Sequence, residues 1–383
     1  MDISVPGTRQ RRAGPLAPPA KGHALTRGAP AAVAVLAGAM ISLVGLTFDT
    51  QWHSEVGPDT FFTLPHLILY SGPAMAGLTS LFMVLANTFA ARVGRSADPA
   101  VGGRSVAVLG GRFSAPLGYL VTGLGSASFL VYGLWDLWWH GLYGFDAVLE
   151  SPPHIGLLLS ISLSMIGSLM ICAAGREHRW GRIGVVVSGA LLLAFNAVPM
   201  LALAPLNGVV NAVSAGIAFL AVTVMVATAT FTGRSGTAVA TAAAHTVIHA
   251  ALWLFAPWAA RAYAASIGLP LRDGATGDPT LPGLMPMGII VVALAMEGAL
   301  LLARRASWTP RRTVAVVGAL GGVLTTLLSP VQDAITMDAP FPGVAHLLAS
   351  AVAGAVAGFL AGHLGWRVGT LLRRASGPLA VVK

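Results

Sequence analysis

The chain has 383 residues, of which 55% are hydrophobic and only 10% are charged. Soluble domains contain about 25% charged residues, so this composition excludes an ordinary water-soluble enzyme and indicates a chain solvated mainly by lipid. The formal net charge of +9 could suit a nucleic-acid partner, but the Lys and Arg residues fall in short clusters between apolar stretches. That distribution is typical of membrane-protein loops and predicts no nucleic-acid binding.

Apolar stretches of roughly 20 residues, the length that crosses a bilayer core, recur along the chain from residue 29. They predict an all-α polytopic membrane protein with the lipid bilayer as its main partner. About ten transmembrane helices are expected, over residues 29–48, 61–91, 115–138, 152–174, 183–204, 208–231, 237–258, 283–303, 313–330 and 343–366. The segments 1–28 and 367–383 flank them and are predicted to be cytoplasmic tails, the first of them basic and disordered.

The distribution of basic residues predicts the orientation of these helices. With the N-terminus in the cytoplasm, 21 of the 23 Lys and Arg residues fall on the cytoplasmic side, and only Arg261 and Arg272 fall outside. Cytoplasmic loops carry the excess of basic residues in membrane proteins. We therefore expect a multi-pass protein of an inner or plasma membrane, with both termini in the cytoplasm.

A polar pattern, D-x-x-W-H-x-x-x-G-x-D, occurs twice, at the predicted outer ends of the first and third helices, and a Pro-His pair follows each copy. The acidic and histidine residues are Asp49, His53, Asp59 and His66 in the first copy and Asp136, His140, Asp146 and His154 in the second. The recurrence predicts a tandem duplication of helical hairpins within residues 29–174. Six further transmembrane helices are then expected within residues 175–366.

The spacing within each copy favours a metal site. The first acid and the first histidine are four residues apart, so a helix places both side chains on one face. A short loop then returns the next helix with the second histidine near its first turn. Two imidazoles and one carboxylate suit iron, copper(II) or zinc. Asp59 and Asp146 are candidates for additional ligands or for outer acceptors that orient an imidazole. The alternatives are proton chemistry and hydrated residues at a membrane interface, where Trp is common.

The D-x3-H-x12-H spacing of Asp49, His53 and His66 resembles the metal motif in the C subunit of particulate methane and ammonia monooxygenases. In that family an aspartate and two histidines of such a motif bind copper, or zinc in its place, within the membrane region. The resemblance covers about 18 residues per copy. It implies a copper site at these three residues, a copper-dependent membrane monooxygenase-like activity and partner membrane subunits. The second copy is assigned by its internal similarity to the first.

Two further histidines, His245 and His249, lie four residues apart near the middle of the predicted seventh span, and Glu297 lies in the eighth. Ionisable residues inside a membrane usually face a cavity or a partner and mark pathways or proton relays. One hypothesis is a second metal or proton-relay cluster, which would serve a proton-coupled secondary transporter. The simpler interpretation is interhelical hydrogen bonding. A structural or assembly protein is a third hypothesis, and the sequence leaves open whether the chain forms homo-oligomers.

Overall fold

A computed structural model describes residues 28–57, 59–144 and 151–375. Most of these residues are helical, which confirms the predicted all-α fold. The helices are α1 (Ala29–Glu55), α2 (Leu64–Arg92), α3 (Leu117–Tyr143), α4 (Pro152–Ala174), α5 (Arg179–Phe195), α6 (Ala212–Thr232), α7 (Thr237–Ile267), α8 (Thr280–Leu284), α9 (Ile289–Arg305), α10 (Pro310–Thr336) and α11 (Val344–Ala375). A 3-10 helix, Pro199–Leu206, follows α5, and β1 (Ser105–Val108) pairs with β2 (Phe113–Pro116) as an antiparallel hairpin.

The number of membrane spans agrees with the prediction of about ten. Within the described residues, nine helices are long and apolar enough to cross a membrane, with α8 and α9 together forming one of them. A tenth candidate consists of α5 and the 3-10 helix, which meet at an angle of 41°. The chain is therefore a multi-pass membrane protein, and the fifth of its candidate spans is bent.

Two segments that lie between predicted spans, 92–114 and 259–282, contain regular structure. The segment 259–282, expected outside the membrane, begins with the last turns of α7, because its alanine-rich sequence favours helix up to Gly268. Gly268 has a φ of +72° and ends the helix with a left-handed residue. The segment 92–114 contains most of the β-hairpin, which Asn87 of α2 holds through hydrogen bonds to Ser105 and Ser114.

Helix α1 lies at the centre of the N-terminal half and packs against α2, α4, α5 and α7. Its last turns carry three buried polar side chains, those of Thr47, Gln51 and Glu55. Polar groups buried at membrane depth need partners inside the protein, since lipid offers none. We therefore expect other parts of the chain to supply hydrogen-bond partners around the end of α1.

The two N-terminal helix pairs cross at matched positions. A Cβ atom at Gly38 of α1 would lie 2.7 Å from the carbonyl oxygen of Gly72 in α2, and one at Gly125 of α3 would lie 2.7 Å from that of Ser160 in α4. Small residues let membrane helices approach this closely. Gly38 and Gly125 each precede the motif aspartate of their helix by eleven residues. The two helices of each hairpin therefore approach closely at the same distance, in sequence, from the motif aspartate.

Candidate metal centre

The end of α1 and the start of α2 bring four potential metal ligands together. Asp49 and His53 lie one turn apart on α1. Beyond this helix, Gly57 has a φ of +104°, a left-handed conformation that glycine allows and that turns the chain back. Asp59 follows this turn, and His66 lies in the first turn of α2. We call Asp49, His53, Asp59 and His66 the four-residue group.

The side chains of the four-residue group converge. One ligand atom of each lies within 4.8 Å of the ligand atoms of the other three. His53 Nε2 lies 3.7 Å from Asp49 Oδ1 and 3.1 Å from Asp59 Oδ2. His66 Nε2 lies 3.0 Å and 3.2 Å from the same two oxygens. Each imidazole therefore contacts both carboxylates.

The second copy forms a smaller group at the end of α3 and the start of α4. Asp136 and His140 lie one turn apart on α3. Gly144 follows this helix with a φ of +84°, a left-handed conformation like that of Gly57 in the first copy. The three pairwise contacts are nearly equal. Asp136 Oδ1 is 3.4 Å from His140 Nε2 and 3.2 Å from His154 Nε2, and the two nitrogens are 3.3 Å apart. We call Asp136, His140 and His154 the three-residue group.

A backbone carbonyl orients one imidazole in each group. His66 Nδ1 lies 2.9 Å from the carbonyl oxygen of Thr60, and His140 Nδ1 lies 2.9 Å from that of Gly144. A carbonyl can only accept, so Nδ1–H is the donor in both cases. The neutral ring then presents the lone pair of Nε2 to the group. Metal-binding histidines are usually fixed by this type of hydrogen bond.

Three buried carboxylate oxygens can be paired, among the described residues, only through a proton or a cation shared with a histidine Nε2. They are Asp49 Oδ1, Asp59 Oδ2 and Asp136 Oδ1, the oxygens that lie closest to the histidine nitrogens. A buried acceptor without a donor costs about 1–3 kcal/mol, more if it is charged. In His66 the Nε2 lone pair also faces such an oxygen at 3.0 Å. Two lone pairs repel at this distance, so the contact calls for a proton or a cation between them.

Both groups match the dimensions of a transition-metal site. A tetrahedral ion with bonds of about 2.0 Å to nitrogen and oxygen requires ligand atoms about 3.3 Å apart. The measured contacts run from 3.0 to 3.7 Å in the four-residue group and from 3.2 to 3.4 Å in the three-residue group. The residues present therefore fit an ion in both places. The four-residue group offers four potential ligands, and the three-residue group offers three.

The two groups line a single cavity of about 240 Å³ between the hairpins. Its remaining wall is mostly apolar and includes Leu46, Leu69 and Leu157. Tyr70 also lines it, with its ring stacked on His66 at 5.8 Å and in contact with Phe129 of α3. Tyr70 was not among the predicted site residues. Its position four residues after His66, on the same helical face, was the available signal.

The electrostatics of Asp59, in the loop between α1 and α2, reflect its contacts with the histidines. Burial alone would raise the pKa of its carboxyl. The close approach of His53 and the positive charges of His53 and His66 outweigh burial and hold this pKa below its usual range. Asp59 therefore remains an anion in the folded protein. Because its Oδ2 lies among the ligand atoms of the four-residue group, Asp59 is a candidate ligand as well as a candidate outer acceptor.

A segment around α8 forms another wall of the cavity and is tied to α1. Gln51 donates from Nε2 to the carbonyl of Asp278 at 3.0 Å and accepts from the backbone N–H of Thr280 at 2.9 Å. One turn further, the buried carboxylate of Glu55 accepts two hydrogen bonds from Arg261 of α7, at 3.2 and 3.0 Å. We call residues 278–284 the α8 segment. Its Thr280 and Leu281 face the cavity.

The remaining predicted site residues are not gathered into such a group. Asp146 lies outside the described residues. His245 and His249 are buried side by side in α7, with ring centroids 5.9 Å apart. Glu297 of α9 instead accepts a hydrogen bond from the backbone N–H of Ala238, two turns before His245. Among the described residues, the sets of three or more ligands within reach of one ion are the two groups above.

The arrangement can hold cations, and it can expose a bound cation to a small molecule in an apolar cavity. Comparisons with protein-family models, with curated proteins and with solved structures found no match to this chain. The case for a metal centre therefore depends on the geometry of the two groups, within a protein whose fold is that of a multi-pass helical membrane protein.

Proposed function

We propose that this protein binds two transition-metal ions, one in each Asp/His group, inside one cavity near the extracytoplasmic surface of a membrane. The observation that carries the proposal is the triangle of Asp136 Oδ1, His140 Nε2 and His154 Nε2, with sides of 3.2 to 3.4 Å. A single proton can bridge only one side of this triangle. A metal ion at its centre bonds all three atoms at once.

The donor atoms narrow the choice of metal. Imidazole and carboxylate ligands suit copper(II), zinc and iron(II), whereas soft metals prefer thiolates. The one cysteine, Cys172, is buried in α4 and belongs to neither group. Copper is our first choice, because the spacing of the first copy resembles the copper motif of the membrane monooxygenases. Zinc and iron are the alternatives that the same ligands accept.

Two roles follow from a cavity that contains such ions. The chain is either a monooxygenase-like subunit, which would activate a small molecule at a bound metal, or a protein that takes up and hands on metal. We propose the extracytoplasmic location from the distribution of basic residues, which also places both termini in the cytoplasm. We retain the division into duplicated hairpins (29–174) and six further helices (175–366) as part of the proposal.

Proton-coupled transport through His245, His249 and Glu297 is the less favoured function. Such a pathway needs the three groups in one connected cluster near mid-membrane. The carboxylate of Glu297 accepts a hydrogen bond from the backbone at the start of α7, away from the two imidazoles. Gradient-driven solute uptake that is lost in Glu297→Ala would restore this alternative.

Elemental analysis of the purified protein tests the proposal. We expect two ions per chain in the wild type, less bound metal in His53→Ala and in His140→Ala, and the least in the double variant, since each substitution removes a ligand from one group. His363→Ala is the matched control, because His363 lies in α11 and bonds to the backbone of its own helix. Full metal content in a folded double variant would overturn the assignment of both sites.

A further inference from the structure

A second cavity, of about 300 Å³, lies in the C-terminal half next to the metal cavity. It is enclosed by the 3-10 helix, α6, the loop after α8 and the end of α10. Leu201 and Leu284 line both cavities, so a thin apolar wall separates them. Most of the other lining side chains are also apolar, including those of Ile217, Ile289 and Leu328.

Asp333 is the exception in this apolar surrounding. Among the described residues that line the cavity, it alone carries a formal charge. It lies in the last turn of α10 and is half-buried, and none of the ion pairs in the described residues involves it. A carboxylate that faces an apolar cavity is stabilised when a ligand supplies the opposite charge. Asp333 is therefore the recognition group of the cavity.

The neutral polar residues nearby are already used by the fold. Gln332 donates to the carbonyls of Gly283 and Met285, at 2.6 and 2.9 Å, and accepts from the N–H of Met287 at 2.9 Å. Asn211 caps α6 by accepting from the backbone N–H of Ser214. These contacts shape the cavity and hold the α8 segment. Ser329 gives the carboxylate of Asp333 one hydrogen bond. The carboxylate keeps its charge and its other acceptor sites for a ligand.

We propose that this second cavity binds a protonated primary amine with an apolar body. The ammonium group pairs with Asp333, and the apolar body packs against the wall formed by Leu201 and Leu284. An ammonium group makes three hydrogen bonds without a fixed geometry, so one carboxylate suffices to recognise it. A metal ion would need several more ligands than this cavity offers, and an anion would be repelled.

Such an amine can reach the cavity from two sources. A small alkylammonium ion can enter from water at the membrane surface. An ethanolamine phospholipid can instead insert its headgroup from the surrounding bilayer, with its acyl chains outside. Both present the same chemistry, a protonated amine attached to an apolar body, and an experiment can distinguish them.

Calorimetric titration of the purified protein with hexylammonium tests the site. We expect hexylammonium to bind the wild type and to bind Asp333→Asn at least about 30-fold more weakly. The uncharged analogue 1-hexanol should not bind. Asp338→Asn is the matched control, since Asp338 is an exposed acid five residues away and its left-handed φ of +48° suits asparagine. Equal binding to Asp333→Asn, in a protein that melts as the control does, would overturn the proposal, as would equal binding of 1-hexanol.

Two further measurements sharpen the result. His53→Ala should bind hexylammonium with unchanged affinity, because the amine site does not depend on the metal groups; loss of binding in that variant would count against a separate site. In nanodiscs, ethanolamine phospholipid should weaken the apparent affinity relative to choline phospholipid if the lipid headgroup is the natural occupant. Equal affinity in both lipids assigns the site to a soluble amine.

Discussion

The two Asp/His groups share one cavity and one sequence pattern, yet they offer an ion different surroundings. The four-residue group has two carboxylates and a formal charge of −2 with neutral imidazoles, whereas the three-residue group has one carboxylate and a charge of −1. A divalent ion is neutralised in the first and leaves one positive charge in the second. Uncompensated charge is costly in a membrane protein. The second ion therefore needs either an added anion or a lower charge of its own.

This difference predicts a division of roles. Four protein ligands close a tetrahedral site, as in structural zinc centres, while three ligands leave a corner for water or another small molecule, as in catalytic ones. We expect the four-residue group to hold its ion tightly and the three-residue group to hold an ion that reacts or exchanges. The predictions below test this contrast, beginning with the largest effect.

Asp136→Ala should produce the largest change. Asp136 is the only carboxylate among the described residues of the three-residue group, and its Oδ1 contacts both histidines. We expect the metal affinity of this group to fall by at least about 100-fold. Loss of a ligand should exceed the roughly 10- to 100-fold effect of losing a residue that only orients a ligand. Competition with a chelator, followed by elemental analysis, measures it. The four-residue group should keep its ion, and loss of both ions in a folded variant would contradict the contrast.

Asp59→Asn should convert the four-residue group into a copy of the three-residue group. It leaves Asp49, His53 and His66, which is the composition of the second group. We expect an affinity about 10- to 100-fold lower and a newly available coordination position.

Azide binding to copper-loaded protein, followed by its charge-transfer absorption, reports that position. In the wild type only the three-residue group should bind azide, so His140→Ala should abolish the signal. Adding Asp59→Asn to His140→Ala should restore it. An azide signal from His140→Ala alone would show that the four-residue group is also open.

Arg261→Ala should affect one group only, and less strongly. Arg261 pairs with the buried carboxylate of Glu55, two residues after His53 on α1 and next to the α8 segment. Removing it leaves that carboxylate without its cation and loosens this wall of the cavity. We expect the ion of the four-residue group to dissociate a few-fold faster, with no change for the other group. Stopped-flow release into a chelator checks this, and Arg272→Ala is a nearby comparison.

The smallest effect is expected in the metal-free protein on acidification. The pKa of Asp59 is lowered in the folded state, so its stabilising effect is present above the unfolded value of about 3.9 and is lost as the pH falls through the folded value. The difference in melting temperature between wild type and Asp59→Asn should therefore shrink below about pH 4. A difference that grows on acidification would show that the folded pKa is raised instead.

Much of the fold and the core of the site could be predicted from the sequence. The length of the apolar stretches predicted the helices and their number, because a bilayer sets the length of a spanning helix. The clusters of basic residues marked the loops between them. The four-residue spacing of Asp49 and His53 predicted their shared face, since a helix repeats at this interval. The helix ends were less certain: α1 and α7 extend beyond their apolar cores, and helix propensity and capping residues decide where they end.

The rest depends on contacts between distant segments, which local patterns do not contain. That both groups line one cavity follows from the packing of two hairpins, and the wall formed by the α8 segment follows from Gln51 reaching residues more than 220 positions away. The separation of Glu297 from His245 is of the same kind. Both lie in membrane spans, which suggested that they would meet, but the carboxylate of Glu297 contacts the start of α7, two turns before His245.

The carbonyl groups that aim His66 and His140 have a consequence for how this protein tolerates change. Thr60 contributes only a main-chain oxygen, which every amino acid has, so most substitutions there would leave the imidazole aimed. Gly144 contributes the same atom from a backbone conformation that favours glycine. Many substitutions in these loops can therefore leave the orientation of the imidazole unchanged. Two loops with different residues can therefore orient an imidazole in the same way.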